Sequence, residues 1–165
     1  MKKTLLSALA LLVAAPALAD CNYRAVTVQA QTPALYVGAG ERMRVEFDNY
    51  KLDGEVDSFP EPPLRIRPVQ GGKACEVDGG IWLRNAVLLD AGEQRLLVQS
   101  FSGSGGELTF YDTSSCAQLA RVELPEASWA LQGEQLVIGR ECSEAGLAHC
   151  SGREVHALNE QCLPL

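Results

Sequence analysis

From Arg24 onward the chain reads as short apolar segments interrupted by Gly, Asp, Asn or Pro. RAVTVQA, RMRVEF, LRIRPV, RLLVQS, ELTFYD, LARVEL, QLVIG and EVHAL are each rich in Val, Ile, Leu or aromatic residues, a composition that suits short strands. ELTFYD alternates, with Glu107, Thr109 and Tyr111 on one side and Leu108 and Phe110 on the other, until Asp112 breaks the pattern. Apolar residues at helical spacing are missing over any long window, in keeping with 15 glycines and 8 prolines. The expected fold is all-β, with antiparallel strands.

Gly-Glu pairs mark a weak repeat. GERMRVEFDN at Gly40, GEQRLLVQSF at Gly92 and GEQLVIGREC at Gly133 each open a strand. A variable loop follows, then a second strand (LRIRPV, ELTFYD or EVHAL), then a turn carrying Cys75, Cys116 or Cys162. Spacings of 52 and 41 residues between the glycines are of propeller-blade size, although three units are too few to close a propeller. Convergent hairpin composition explains the same pattern, and both readings stay open. If the repeat is real, the loops 48–63, 101–106 and 140–153 share one edge of the fold, where displayed loops commonly carry function.

Met1 to Ala19 changes the setting. Lys2 and Lys3 precede an apolar core and an Ala17-Leu18-Ala19 end, the pattern of a cleaved secretory signal. The core is shorter than the roughly 20 residues that span a bilayer. Asp20 is a poor residue to precede a lipid-modified Cys21. The bacterial style of the signal makes the periplasm the expected compartment and residues 20–165 one expected domain. Without the two signal lysines, 12 basic residues face 21 acidic ones, a net charge near −9. Such a surface repels nucleic acid and anionic lipid and suits a basic protein partner.

Six cysteines follow the signal: Cys21, Cys75, Cys116, Cys142, Cys150 and Cys162. An even count in an oxidising compartment implies three disulfides. Cys142 and Cys150 are the natural pair, because SEAGLAH closes as a short loop; the other four can pair in three ways. A zinc site would also draw on His149 and His156, but the spacings fit its usual motifs poorly. No metal and no cofactor is expected.

Catalytic readings fare no better. Ser102 and Ser104 lie in FSGSGG, which lacks the G-x-S-x-G elbow, and the two histidines sit in a probable disulfide loop and a strand. The glycines run into a strand with no Lys, unlike a phosphate cradle. Asp48, Asp53, Glu55, Asp57 and Glu61 lack a companion cluster for glycosidase chemistry, although Tyr50 and Phe59 among them offer apolar anchors for a partner. Trp82 and Trp129 read as core residues, with an interface role as the alternative. Phe101 to Gly106 reads as a connection longer than the two residues a tight hairpin needs. The profile is that of a non-enzymatic binding protein.

The signal, the cysteines, the all-β body and the stretch LLVQSFSGSGGELTFYDTSSCAQLARVEL resemble the periplasmic immunity proteins that neutralise type VI secretion peptidoglycan amidases. The resemblance is strongest over 96–124 and looser through GREVHALNEQCLPL. It implies an all-β protein that occludes the cleft of a papain-like amidase bearing a Cys/His pair. The occluding loop would be Phe101, Ser102, Gly103, Ser104, Gly105 and Gly106, with Ser102 or Ser104 reaching the catalytic pair. Alternatives are an inhibitor of another wall hydrolase, such as lysozyme, or an envelope scaffold module.

Overall fold

The computed structural model describes residues 21–51, 56–103, 105–124 and 128–165. The signal-like segment and Ser104 lie outside the described residues. The described residues form fourteen strands: β1 (Arg24–Ala25), β2 (Val28–Thr32), β3 (Leu35–Ala39), β4 (Met43–Asp48), β5 (Ser58–Pro60), β6 (Leu64–Pro68), β7 (Cys75–Val77), β8 (Ile81–Leu89), β9 (Arg95–Ser102), β10 (Gly105–Asp112), β11 (Gln118–Leu124), β12 (Trp129–Gln132), β13 (Gln135–Cys142) and β14 (Cys150–Ala157). One 3-10 turn spans Leu147–His149. The fold is all-β, and the strand pairings among the described residues are antiparallel.

The strands form three sheets. The first runs β2-β3-β4-β6-β7, the central one β1-β8-β9-β10-β11 with β5 also on β8, and the third β12-β13-β14. RAVTVQA, expected as one strand, is divided: β1 joins the central sheet and β2 the first. Each Gly-Glu marker precedes a strand in a different sheet, and the marked strand pairs with its expected partner, β4 with β6, β9 with β10 and β13 with β14.

Two cores separate the sheets. Val45, Phe47, Phe59, Leu64, Trp82 and Val98 belong to the core between the first and central sheets. Leu97, Leu108, Phe110, Leu136 and Ile138 belong to the core between the central and third. The run Leu96-Leu97-Val98 is apolar throughout because β9 is buried on both faces, with Leu96 and Val98 facing one core and Leu97 the other. The alternation in β10 divides in the same way, Leu108 and Phe110 to one core and Tyr111 to the other.

Phe59 corrects an expectation. It is fully buried and stacks on Phe47 at 4.6 Å and 14°, so it is a core residue and not a partner anchor. Burying a side chain of this size stabilises the fold by about 2–3 kcal/mol. Trp82 is also core, donating its indole N–H to the Pro62 carbonyl at 3.0 Å. Trp129 is half-buried and donates to Gln99 Oε1 at 2.8 Å, joining the third sheet to the central one.

All six cysteines are oxidised. Cys142 pairs with Cys150 as the short loop implies, and the remaining choice resolves as Cys21–Cys162 and Cys75–Cys116. Cys21–Cys162 ties the start of the described chain to its end. Cys75–Cys116 links the first sheet to the turn after β10. Chain entropy makes a closure of this length worth about 4 kcal/mol for Cys75–Cys116.

Candidate functional site

Strands β9 and β10 pair from Arg95↔Asp112 to Ser102↔Gly105. The ladder thus runs to within two positions of closing. The connection expected to span 101–106 is therefore a tight hairpin, because the ladder continues through the small residues that read as slack. Gly103 has φ +60°, the left-handed conformation a two-residue hairpin requires at its first turn position. Phe101, Ser102, Gly105 and Gly106 are strand residues, and Ser102, Gly103 and Gly105 are exposed. A Cβ placed on Gly103 would meet nothing within 4 Å. The tip thus projects from Ser102 and Gly105, one residue beyond the flanking strands, which pair as far as Phe101 and Gly106.

The base of the stem is polar and ordered. Ser100 is 3 % exposed and donates to Glu107 Oε1 at 3.2 Å, while Arg121 approaches Glu107 Oε2 at 2.6 Å. Gly106 pairs with both Phe101 and Leu124, Phe101 with Ile81, and Ile81 with Pro60. This row brings the end of the 48–63 loop to the edge that carries the hairpin tip. Beyond Leu124, Ser128 accepts the Gly139 N–H on its carbonyl and the Gly146 N–H on its hydroxyl, at 2.7 and 2.8 Å. Those bonds tie the 140–153 loop to the strand that follows.

The acidic 48–63 loop is not one cluster. Asp48 forms a bidentate pair with Arg65 at 2.6 and 2.7 Å. That bond holds its carboxyl below the usual carboxylate range, against partial burial. Asp53 and Glu55 lie outside the described residues, and Asp57, Glu61 and Tyr50 are exposed. The histidines take local partners: His156 Nε2 lies 2.7 Å from Glu154, and His149 Nε2 lies 3.9 Å from Glu144. Among the described residues no serine side chain bonds an imidazole, and no group of three or more His, Cys, Asp or Glu could hold a metal ion. The cysteines a zinc site would need are committed to disulfides.

The opposite end of β9 shows what sequence reasoning missed. Glu93, from the second Gly-Glu pair, accepts the backbone N–H groups of Glu41, Arg42 and Met43 at 2.7, 2.8 and 2.7 Å. Partial burial works against its charge, but these three donors outweigh it and lower its pKa. A Cβ on Gly40 would lie 2.4 Å from the Glu93 carboxylate. The glycine of the first pair therefore makes room for the glutamate of the second. The Gly-Glu recurrence was the available signal, but nothing in it says that one copy docks on another.

Comparison with known proteins bears on this hairpin scaffold. The family model described as "Immune protein Tsi1" matches residues 21–162. A curated protein of Pseudomonas aeruginosa strain PAO1 bearing the same description, "Immune protein Tsi1", is 35% identical over 137 residues, covering 81% of this chain and 80% of that protein.

Proposed function

The chain belongs to the Tsi1 immune-protein family, and from that premise we infer that it is an immunity protein, a binder that disarms a toxic effector and not an enzyme. We further propose that the effector is a type VI secreted peptidoglycan amidase with a Cys/His pair. The chain would meet it in the periplasm after removal of residues 1–19, and would act by occluding its active-site cleft.

The observation that carries this reading is the β9–β10 hairpin. Its strands pair as far as Ser102 and Gly105, Ser102, Gly103 and Gly105 are exposed, and a Cβ on Gly103 would meet nothing within 4 Å. A narrow cleft admits a backbone of glycine and serine where larger side chains would be stopped, and a serine hydroxyl both donates and accepts. Ser102 or Ser104 therefore suits a thiol and imidazole pair. Because the stem is fully paired from Arg95 to Ser102, binding has little chain to order, which preserves affinity.

The test is peptidoglycan hydrolysis by such an amidase, with the oxidised protein titrated in. Stoichiometric loss of activity is expected, relieved by Ser102→Trp or Ser104→Trp in folded protein. Full hydrolysis at excess wild-type protein would remove the amidase reading. Lysozyme or an envelope partner would then be tested in its place.

A further inference from the structure

Trp82, Ser100, Glu107 and Glu123 stand directly opposite one another across β8, β9, β10 and β11. Cross-strand partners share one face of the pleat, so these side chains form a row. It starts in the core at Trp82 and reaches solvent at Glu123. The row therefore sets two carboxylates side by side, an arrangement that is destabilising between neighbouring strands.

Compensation is one-sided. Glu107 has both oxygens engaged, one by the Ser100 hydroxyl at 3.2 Å and the other by Arg121 at 2.6 Å. Glu123 has no ion pair and no side-chain hydrogen bond among the described residues. Two negative charges thus share one positive charge at the base of the hairpin.

A hollow of about 270 Å³ opens at this point, lined by Gly80, Gly105 and Gly106 together with Glu107, Arg121 and Glu123. Two of these glycines sit close against their neighbours. A Cβ on Gly106 would stand 3.1 Å from the Leu124 carbonyl oxygen, and one on Gly80 would stand 3.4 Å from Ser100 Cβ. The result is a concave, net-negative recess immediately beside the tip, on a chain whose net charge is already −7.

We propose that this recess is a socket for one cationic side chain, a lysine or arginine, on the rim of the effector's cleft. This rests on the reading that the hairpin enters that cleft. When it does, the rim meets the base of the stem, and a cation placed between Glu123 and Glu107 relieves their repulsion. The contact supplies charge complementarity and register, which favour recognition of one partner over its relatives. The free protein holds an unfavourable pair that only the right partner satisfies.

The experiment compares Glu123→Gln, Glu123→Lys and Ser102→Trp, with Glu76→Gln on β7 removing the same charge from another sheet. Binding is measured to the purified peptidoglycan amidase, inactivated at its nucleophile, at low and high NaCl. Melting of the free proteins is measured alongside. Glu123→Gln is expected to raise the melting temperature by about 1–3 °C while weakening binding about 5–20-fold. Glu123→Lys should weaken it about 100-fold or more, and Glu76→Gln should stay within about twofold. The salt sensitivity of the wild type should shrink in Glu123→Gln.

Unchanged affinity in Glu123→Gln, with binding lost in Ser102→Trp, would overturn the socket and leave the hairpin reading standing. Weakening in Glu123→Gln with none in Ser102→Trp would overturn hairpin entry, and with it the placement of the cation on the cleft rim. No effect from either, or no binding by the wild type, would overturn both. A free-protein melting temperature that does not rise would remove the repulsion on which the socket depends, whatever the partner.

Discussion

At the β8–β9 turn, Glu93 is gripped by three backbone N–H groups of the neighbouring sheet; at the far end of β9, the chain reverses through Gly103 with no packing around it. The held end has further ties. Asp90 Oδ1 accepts the N–H groups of Gln94 and Arg95 at 2.7 and 2.8 Å, and the Thr113 hydroxyl donates to the Glu93 carbonyl at 2.8 Å. Asp112 Oδ1 accepts the Ser114 hydroxyl and N–H at 2.6 and 3.0 Å and the Ser115 hydroxyl and N–H at 2.9 Å each. Cys75–Cys116 closes over the same region. The two ends of β9 thus differ sharply in restraint, which is what the proposed entry of the tip into a partner's cleft requires. Carboxylates at the held end are consumed by backbone donors, whereas Glu123 at the other end remains free to meet another chain.

The strongest way to break the contrast is to loosen the held end. Replacing Cys75 and Cys116 together by Ala should destabilise the protein by about 4 kcal/mol, measured by urea unfolding. If the hairpin is stiff in its own right, the remaining folded protein should still bind. Glu93→Ala is expected to cost about 2 kcal/mol, since hydrogen bonds to a charged acceptor are the stronger class. A cost no larger than that of Glu76→Ala would show that the N–H cluster is satisfied equally well by water.

Acid should act through the held end as well. The Asp112 carboxyl is lowered first by the Ser114 hydroxyl, and Glu93 is lowered by its backbone donors despite partial burial. Both groups have folded pKa values below their unfolded ones, so their contribution is complete above the ordinary carboxylate range near pH 4. It is lost as pH falls through the lowered folded values. Thermal unfolding between pH 7 and pH 2 should therefore show a plateau and then a fall, and the fall should be shallower in Glu93→Ala.

At the tip the expected stability effects are smallest. Gly103→Ala should cost about 1 kcal/mol, because φ +60° disfavours a Cβ. Ser102→Trp should change unfolding by less than about 0.5 kcal/mol, as exposed positions usually do, while abolishing protection against the effector. A large loss of stability there would show that the tip contributes to the fold and would remove the contrast.

Much of this architecture is legible in local chemistry. The strand segments, the Cys142–Cys150 pair and the three marked hairpins follow from apolar alternation, turn residues and short loop closure, all of which act over neighbouring residues. Asp112, which interrupts the alternation of β10, is the residue that folds its carboxylate over the next turn. The tip is legible as a Ser/Gly stretch, but its length is not, because small residues look like slack until a facing strand pairs with them.

The sequence by itself determined an all-β, three-disulfide chain of acidic character, because composition and short-range periodicity are properties of the chain alone. Only the tertiary structure decided that Phe59 belongs to the core, that Glu93 docks on the turn after Gly40, and that Glu107 and Glu123 stand opposite each other beside an open hollow. Those facts depend on register and on which sheet faces which. Both are set by long-range pairing and burial, where a shift of one residue would send each side chain to the opposite face.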